Sequence, residues 1–314
     1  MSVNSFVIEV LQLLLLLFGA PAFAGWVRTV KCRMQGRSYA GIFQPYRDIA
    51  RLFGKEVLLA ENASWIFRAT PYIVFGVTVM IGGIIPFLST DLPFAATADV
   101  IALVMLFAII RFFTALAGMD IGTAFGGMGA SREMMIASLA EPALLMAIFT
   151  VSLAGNSTSL TQMVHVMAHG QFVLRPSLAF ALLAYIMVHL TETGRIPVDN
   201  PSTHLELTMV HEAMILEYSG RYLALIEWAG MMKLFIFSAL GIAVFCPWGI
   251  PLSTDLLSII GGGVLLAVKL ALLGVILVLI ETGMAKMRLF RLTEFLGSAF
   301  LLATLGMLSF FILE

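Results

Sequence analysis

The sequence is short of charge. Only 12% of its 314 residues are Asp, Glu, Lys or Arg, against ~25% in ordinary soluble domains, while 60% are hydrophobic and the mean hydropathy is +1.00. A water-solvated domain is excluded, and lipid is the expected solvent. Cysteine is scarce as well: Cys32 and Cys246 are far apart and fall on opposite sides of the topology described below, so they make neither a metal cluster nor a disulfide. Any iron–sulfur, nickel or flavin chemistry would therefore sit on another polypeptide. A net charge of −1 leaves no case for nucleic-acid binding. Positive charge is almost missing from alternate gaps between the apolar runs.

What is present are eight runs near the ~20 residues that a helix needs to cross a bilayer. They are Ser5 to Val27, Ala69 to Leu88, Ala98 to Ala117, Met134 to Leu153, Leu174 to Thr193, Leu223 to Phe245, Leu256 to Glu281 and Thr293 to Leu313. Fifteen of the eighteen Lys and Arg residues lie in or beside the odd gaps between these runs. The positive-inside rule then makes the odd gaps cytoplasmic and puts both termini on the other side. The N-terminal run ends in Ala22-Phe23-Ala24, which resembles a signal-peptide cleavage site. Glu9 precedes the run and the basic residues follow it, so a retained helix is expected instead. The fold class is all-α, one polytopic transmembrane domain over residues 1–314. The even gaps, including Ala154 to Val173, read as simple loops.

In the first odd gap, Tyr46, Ile49, Leu52 and Phe53 recur at helical spacing, with Arg47, Asp48, Arg51 and Lys55 on the other side. Pro45 starts this amphipathic segment and Gly54 ends it. It suits the membrane surface, either as a basic anchor for headgroups or as a docking helix for a soluble subunit.

An ionisable side chain at the bilayer centre costs about 2.5–3.5 kcal/mol on insertion scales, so each one is a candidate for function. Glu141 directly precedes Pro142, whose missing N–H frees a carbonyl one turn back. It could bind a proton, a cation or water, or be satisfied by a neighbouring helix. Tyr185, His189 and Glu192 share one face of the fifth run, either as a proton-relay stripe or as packing residues with one His among them. Lys233 and Lys269 lie deep in the sixth and seventh runs, with Glu227 and Glu281 near the cytoplasmic ends. They fit either charge coupling or static ion pairs. Glu227 and Lys233 point to different faces, so each should pair elsewhere.

The fifth gap has the densest chemistry: Glu192-Thr193-Gly194-Arg195-Ile196-Pro197-Val198-Asp199, then His204, Glu206, His211 and Glu212, then Glu217-Tyr218-Ser219. This run resembles the corresponding loop of the complex I subunit 1 family. The third gap adds Arg111-Phe112-Phe113, Gly118-Met119-Asp120-Ile121-Gly122 and Gly129-Ala130-Ser131-Arg132-Glu133, which look like the hydrogenase branch, the membrane subunits of formate hydrogenlyase and hydrogenase-4 type complexes.

The resemblance covers nearly the whole chain. It implies a non-catalytic, membrane-anchoring and ion-coupling subunit of an energy-converting hydrogenase in a bacterial or archaeal cytoplasmic membrane. Its implied partners are hydrogenase large and small subunits, carrying the nickel–iron centre and iron–sulfur clusters, and antiporter-like membrane subunits. By the same resemblance, Glu192, Asp199, Glu206 and Glu217 take the loop-motif positions and Arg132 with Glu133 the third-loop motif. Arg47, Arg51, Asp120 and Arg195 join these as docking or vestigial quinone-site residues.

The chain departs from the quinone-reducing members after Asp199, with Ser202 and His204 in place of two glutamates and an insertion holding His211 and Glu212. That favours hydrogen-linked chemistry over a quinone-chamber subunit of complex I. A metal site at His204, Glu206, His211 and Glu212 is disfavoured, because no H-E-x-x-H spacing occurs. An independent secondary transporter would need a second broken helix to match Glu141-Pro142.

Overall fold

The computed structural model describes residues 3–38, 41–90, 93, 98–169, 175–196, 199, 210–251, 256–285, 287 and 289–313. Among them are eleven helices and no strand: α1 Val3–Met34, α2 Gln44–Phe53, α3 Trp65–Ile84, α4 Val100–Asp120, α5 Ala124–Gly155, α6 Leu160–His169, α7 Pro176–Glu192, α8 His211–Ile215, α9 Gly220–Phe245, α10 Leu256–Gly283 and α11 Leu289–Leu313. Seven of these, α1, α3, α4, α5, α9, α10 and α11, are long and apolar enough to cross a membrane. The eighth expected span, Leu174 to Thr193, is the 17-residue apolar helix α7. At ~1.5 Å per residue it covers about 25 Å, the lower limit for a crossing.

Two boundaries move further than expected. α1 continues past Val27 to carry Arg28, Lys31 and Arg33 out of the apolar zone, and α5 begins at Ala124 instead of Met134. The third gap thereby shrinks to residues 121–123. The second even gap, expected as a loop over Ala154 to Val173, holds a helix within its described residues 154–169. Leu160, Met163, Val164 and Met167 follow a helical period, and α6 forms on it with the first three buried in the core.

α9 is the centre of the bundle: 67% of an apolar 18-residue stretch of it is buried, against 28% for α10 and 22% for α11. α1, α2, α3, α6, α7 and α10 all pack on it. Phe235 and Phe237 project from it into aromatic contacts with Phe23, Phe87 and Phe107. α5 is held between α4, α7 and α11.

The α4–α5 crossing explains the G-x-D-x-G motif. A Cβ at Gly126 would stand 2.0 Å from the Gly118 carbonyl oxygen, so the helices meet backbone to backbone there, and Gly122 turns the chain between them with φ +75°. Asp120 reaches across to accept the Ser64 backbone N–H at 2.9 Å, where α3 begins. Gly129 likewise lets α8 lie close on α5, with Ala213 Cβ and the Val210 carbonyl oxygen each 3.0 Å from where a methyl would be. These motif positions set how the elements approach one another.

Candidate functional site

Arg111 is the hub of the polar interior. It sits inside α4, well before the helix ends at Asp120, and is only 4% exposed, although its place beside a gap in the sequence suggested a cytoplasmic flank. Its guanidinium meets carboxylates from two other helices: Glu141 at 3.0 Å and Glu133 at 3.8 Å, both on α5, and Glu192 at the end of α7. Lys233 on α9 completes the group, with Nζ 3.0 Å from the second Glu192 oxygen. Glu192 is thus clamped between two cations, its side chain 1% exposed.

Among the described residues, the two cations and three carboxylates of these ion pairs leave formally one negative charge in excess. Buried charges of this kind persist only when paired, because the desolvation of each ion costs several kcal/mol. Two cavities border the cluster. The larger, about 240 Å³, is lined by Glu133, Glu192, Asp199, His211, Glu212 and Lys233. The smaller, about 40 Å³, lies against Arg111, Glu133, His211 and Lys233. At roughly 10–15 Å³ per water, the smaller has room for about three waters and the larger for many more, with enough polar partners to hold them. The arrangement can pass a proton between carboxylates, or shift one cation between them.

A second ion cluster joins other elements. Glu281 on α10 holds Lys31 of α1 at 2.6 Å and Arg195, just beyond α7, at 3.4 Å. Burial pulls the Arg195 guanidinium's pKa down and the adjacent Glu281 carboxylate pushes it back up.

Several expected site residues lie apart from both clusters. Tyr185 donates its hydroxyl to the Phe237 carbonyl oxygen at 2.6 Å, and the His189 ring stacks on Phe237 at 5.8 Å. The stripe on α7 therefore delivers only Glu192 to the first cluster. Lys269 donates to the carbonyl oxygens of Cys246 and Trp248, covering the C-terminal end of α9. Glu227 faces α2 and lines a crevice of about 310 Å³ with Arg28, Asp48, Arg51 and Lys55. Arg47 and Glu217 are exposed, and Arg132 is half-buried on α5. Asp199 accepts the Val210 and His211 backbone N–H groups, each at 3.3 Å, and so starts α8. Glu206 and His204 lie outside the described residues. Beside Glu217, Tyr218 stacks on Phe67 at 3.9 Å and donates to its carbonyl oxygen at 2.9 Å, and burial pushes its phenol pKa up.

The sequence model of the NADH dehydrogenase family matches residues 8–312. The chain belongs to this family. Among the family's curated members, formate hydrogenlyase subunit 4 of Escherichia coli (strain K12) is 33% identical over 284 residues, covering 89% of this chain and 90% of that protein. Hydrogenase-4 component C of the same strain is 32% identical over 295 residues, covering 94% and 92%. An NADH-quinone oxidoreductase subunit of Rubrobacter xylanophilus is 29% identical over 212 residues, covering 65% and 62%. In structure, the fold matches a chain of the membrane-bound sulfane sulfur reductase, an archaeal respiratory membrane complex, with a TM-score of 0.83 over 98% of this chain and 99% of that one at 20% identity. With seven helices long and apolar enough to cross a membrane, this NADH dehydrogenase family member is a multi-pass membrane protein.

Sequence reasoning missed Arg111 as a member of the site in this family member. Its signal was available: a guanidinium placed well inside an apolar run, Val100–Asp120, that continues as helix on both sides. Lys31 was missed for a different reason. Its partner Glu281 is 250 residues away, a distance that periodicity cannot bridge.

Proposed function

We propose that this chain is the membrane-anchoring and ion-coupling subunit of an energy-converting hydrogenase complex of the formate hydrogenlyase or hydrogenase-4 type. The observation that carries the reading is the Arg111, Glu133, Glu141, Glu192 and Lys233 cluster, which runs from a polar cavity beside Asp199 and His211 to the middle of α5. The two relatives at 33% and 32% identity support the hydrogenase branch. The odd gaps face the cytoplasm in a bacterial or archaeal cytoplasmic membrane, and both termini face away. Partner subunits at that face would carry the nickel–iron centre and the iron–sulfur clusters, and antiporter-like subunits would lie alongside in the membrane.

In this mechanism, a change of redox charge on a partner alters the field at the loop and shifts the proton affinity of Glu192, Glu206 and Glu217. Because Glu192 and Glu141 share the Arg111 guanidinium, a proton gained by Glu192 frees the cation to bind Glu141 more tightly. Charge thus moves laterally without either carboxylate leaving its place, while Lys233 tunes the field at Glu192. Glu141→Gln in the intact complex should reduce ion translocation in vesicles and leave hydrogenase activity and assembly in place. Normal translocation by that variant would overturn the coupling role. Absence of redox-active subunits from the complex purified out of native membranes would overturn the hydrogenase reading.

A second reading, the quinone-chamber subunit of an NADH:quinone oxidoreductase, draws on the crevice of about 310 Å³ between α2 and Glu227. Inhibition of electron transfer by a quinone-site compound would favour it over the first.

A further inference from the structure

α5 presents a carboxylate sideways within its apolar stretch. Glu141 lies about 26 Å from the start of this 32-residue helix and about 21 Å from its end, at ~1.5 Å per residue. The helix is longer than the ~30 Å hydrocarbon layer, and within the apolar run Met134 to Leu153 Glu141 lies about 10 Å inside the nearer end. Arg111 covers it from inside the bundle, yet the Glu141 side chain remains 30% exposed. Its neighbours on the outer side of α5, Ser131, Met134, Ser138 and Pro142, are exposed at spacings of three and four residues and form one stripe with it.

This stripe differs from the outer face of α10. There Ile260, Val264, Val268, Leu272, Ile276 and Leu279 are exposed, a uniformly bulky apolar surface suited to acyl chains. On α5 the residues are smaller, and small residues let a second helix approach closely. The serines need nothing from outside: Ser131 and Ser138 donate to the Met128 and Met135 carbonyl oxygens of their own helix at 3.0 and 2.8 Å. Glu141 does need something. Acyl chains offer it neither a hydrogen bond nor a countercharge, and among the described residues the ion pairs behind it join three carboxylates to two cations.

We propose that the outer face of α5 around Ser138 and Glu141 is covered by a transmembrane helix of a second membrane subunit, and that this helix sets a lysine or arginine against Glu141. The inference rests on the complex-subunit reading above and names the partner of the same site. The added cation balances the cluster. It also ties the charge state of Arg111 and Glu192 to a group on the neighbouring polypeptide, so the two subunits share one buried ion network across their interface.

The test uses the intact complex in native membranes. A photo-crosslinking residue is placed by Ser138→p-benzoylphenylalanine and, on the same stripe, Met134→p-benzoylphenylalanine, with Leu272→p-benzoylphenylalanine on α10 for comparison. All three positions are exposed, so the substitutions leave the core untouched. After irradiation, the complex is purified and the joined peptides are sequenced by mass spectrometry. The expected result is a transmembrane segment of another subunit, with Lys or Arg inside its apolar run, joined at Ser138 or Met134, and lipid adducts alone at Leu272. Lipid alone at both α5 positions, a soluble subunit, a second copy of this chain, or a membrane segment lacking a basic residue would each overturn the proposal. Redox-active subunits are assayed in the same preparation: their presence alongside lipid-only adducts defeats the interface and spares the functional reading, whereas their absence defeats that reading and the inference with it.

Discussion

The two buried ion clusters meet the same desolvation cost with opposite charge balance. Around Arg111, three carboxylates share two cations; around Glu281, two cations share one carboxylate. The first is drawn from α4, α5, α7 and α9 and is built into the bundle, with Arg111 and Glu192 almost fully enclosed. The second joins α1, α10 and the start of the fifth-gap loop, and its Lys31 side chain is 27% exposed, near enough to the surface for water to help carry its charge. A cluster whose spare charge reaches water can serve as a fixed tie. One whose spare negative charge sits at membrane depth needs a proton, a cation or a partner, which makes it the better candidate for coupling.

That contrast can be broken most forcefully at Arg111. Arg111→Met leaves three carboxylates beside one lysine, and breaking a buried pair of this kind costs about 3–5 kcal/mol. The variant should lose most of its folded yield, read by fluorescence-detected size-exclusion chromatography after mild heating. Retention of wild-type thermal stability would show that the cluster is hydrated well enough to need no central cation. Glu281→Gln should cost less, about 1.5–3 kcal/mol for the loss of charged hydrogen bonds, because Lys31 can turn to solvent. A drop equal to that of Arg111→Met would erase the distinction between the clusters. The smallest effect is expected inside the first cluster, from Glu133→Gln. At 3.8 Å its pairing with Arg111 is loose, and about 1 kcal/mol or less should be lost. A larger loss there would mean that Glu133 and Glu141 hold Arg111 jointly.

The membrane-spanning helices were legible because apolar runs such as Ala98 to Ala117 leave a helix as the only way to satisfy the backbone in lipid. Amphipathic α2 was equally legible, from the spacing of Tyr46, Ile49 and Phe53. Helix ends were less so. Arg28, Lys31 and Arg33 signal the membrane surface but do not stop a helix, so α1 runs on through them. α6 was hidden because its apolar period, Leu160 to Met167, is short and is flanked by Asn156, Ser157 and Ser159, residues that suggest a loop. Within the site, Glu141, Glu192 and Lys233 were visible as charges in apolar surroundings. What they touch was not. Periodicity tells which residues share a face of one helix, and says nothing about which face of another helix will meet it. Arg111 was lost to its grouping: it lies within the apolar run Ala98 to Ala117, yet it was counted with the basic residues of the third gap and not with the charges inside the runs.

The glycine contact between α4 and α5 has a mechanical consequence. Where Gly118 and Gly126 touch, the two helices cannot come closer, so that point behaves as a fulcrum. Glu141 is about fifteen residues along α5 from it, a lever arm of about 22 Å, so a tilt of roughly five degrees would swing the carboxyl group by about 2 Å. A slight rocking of α5, driven by whatever docks against α8, would then suffice to make or break the contact with the guanidinium.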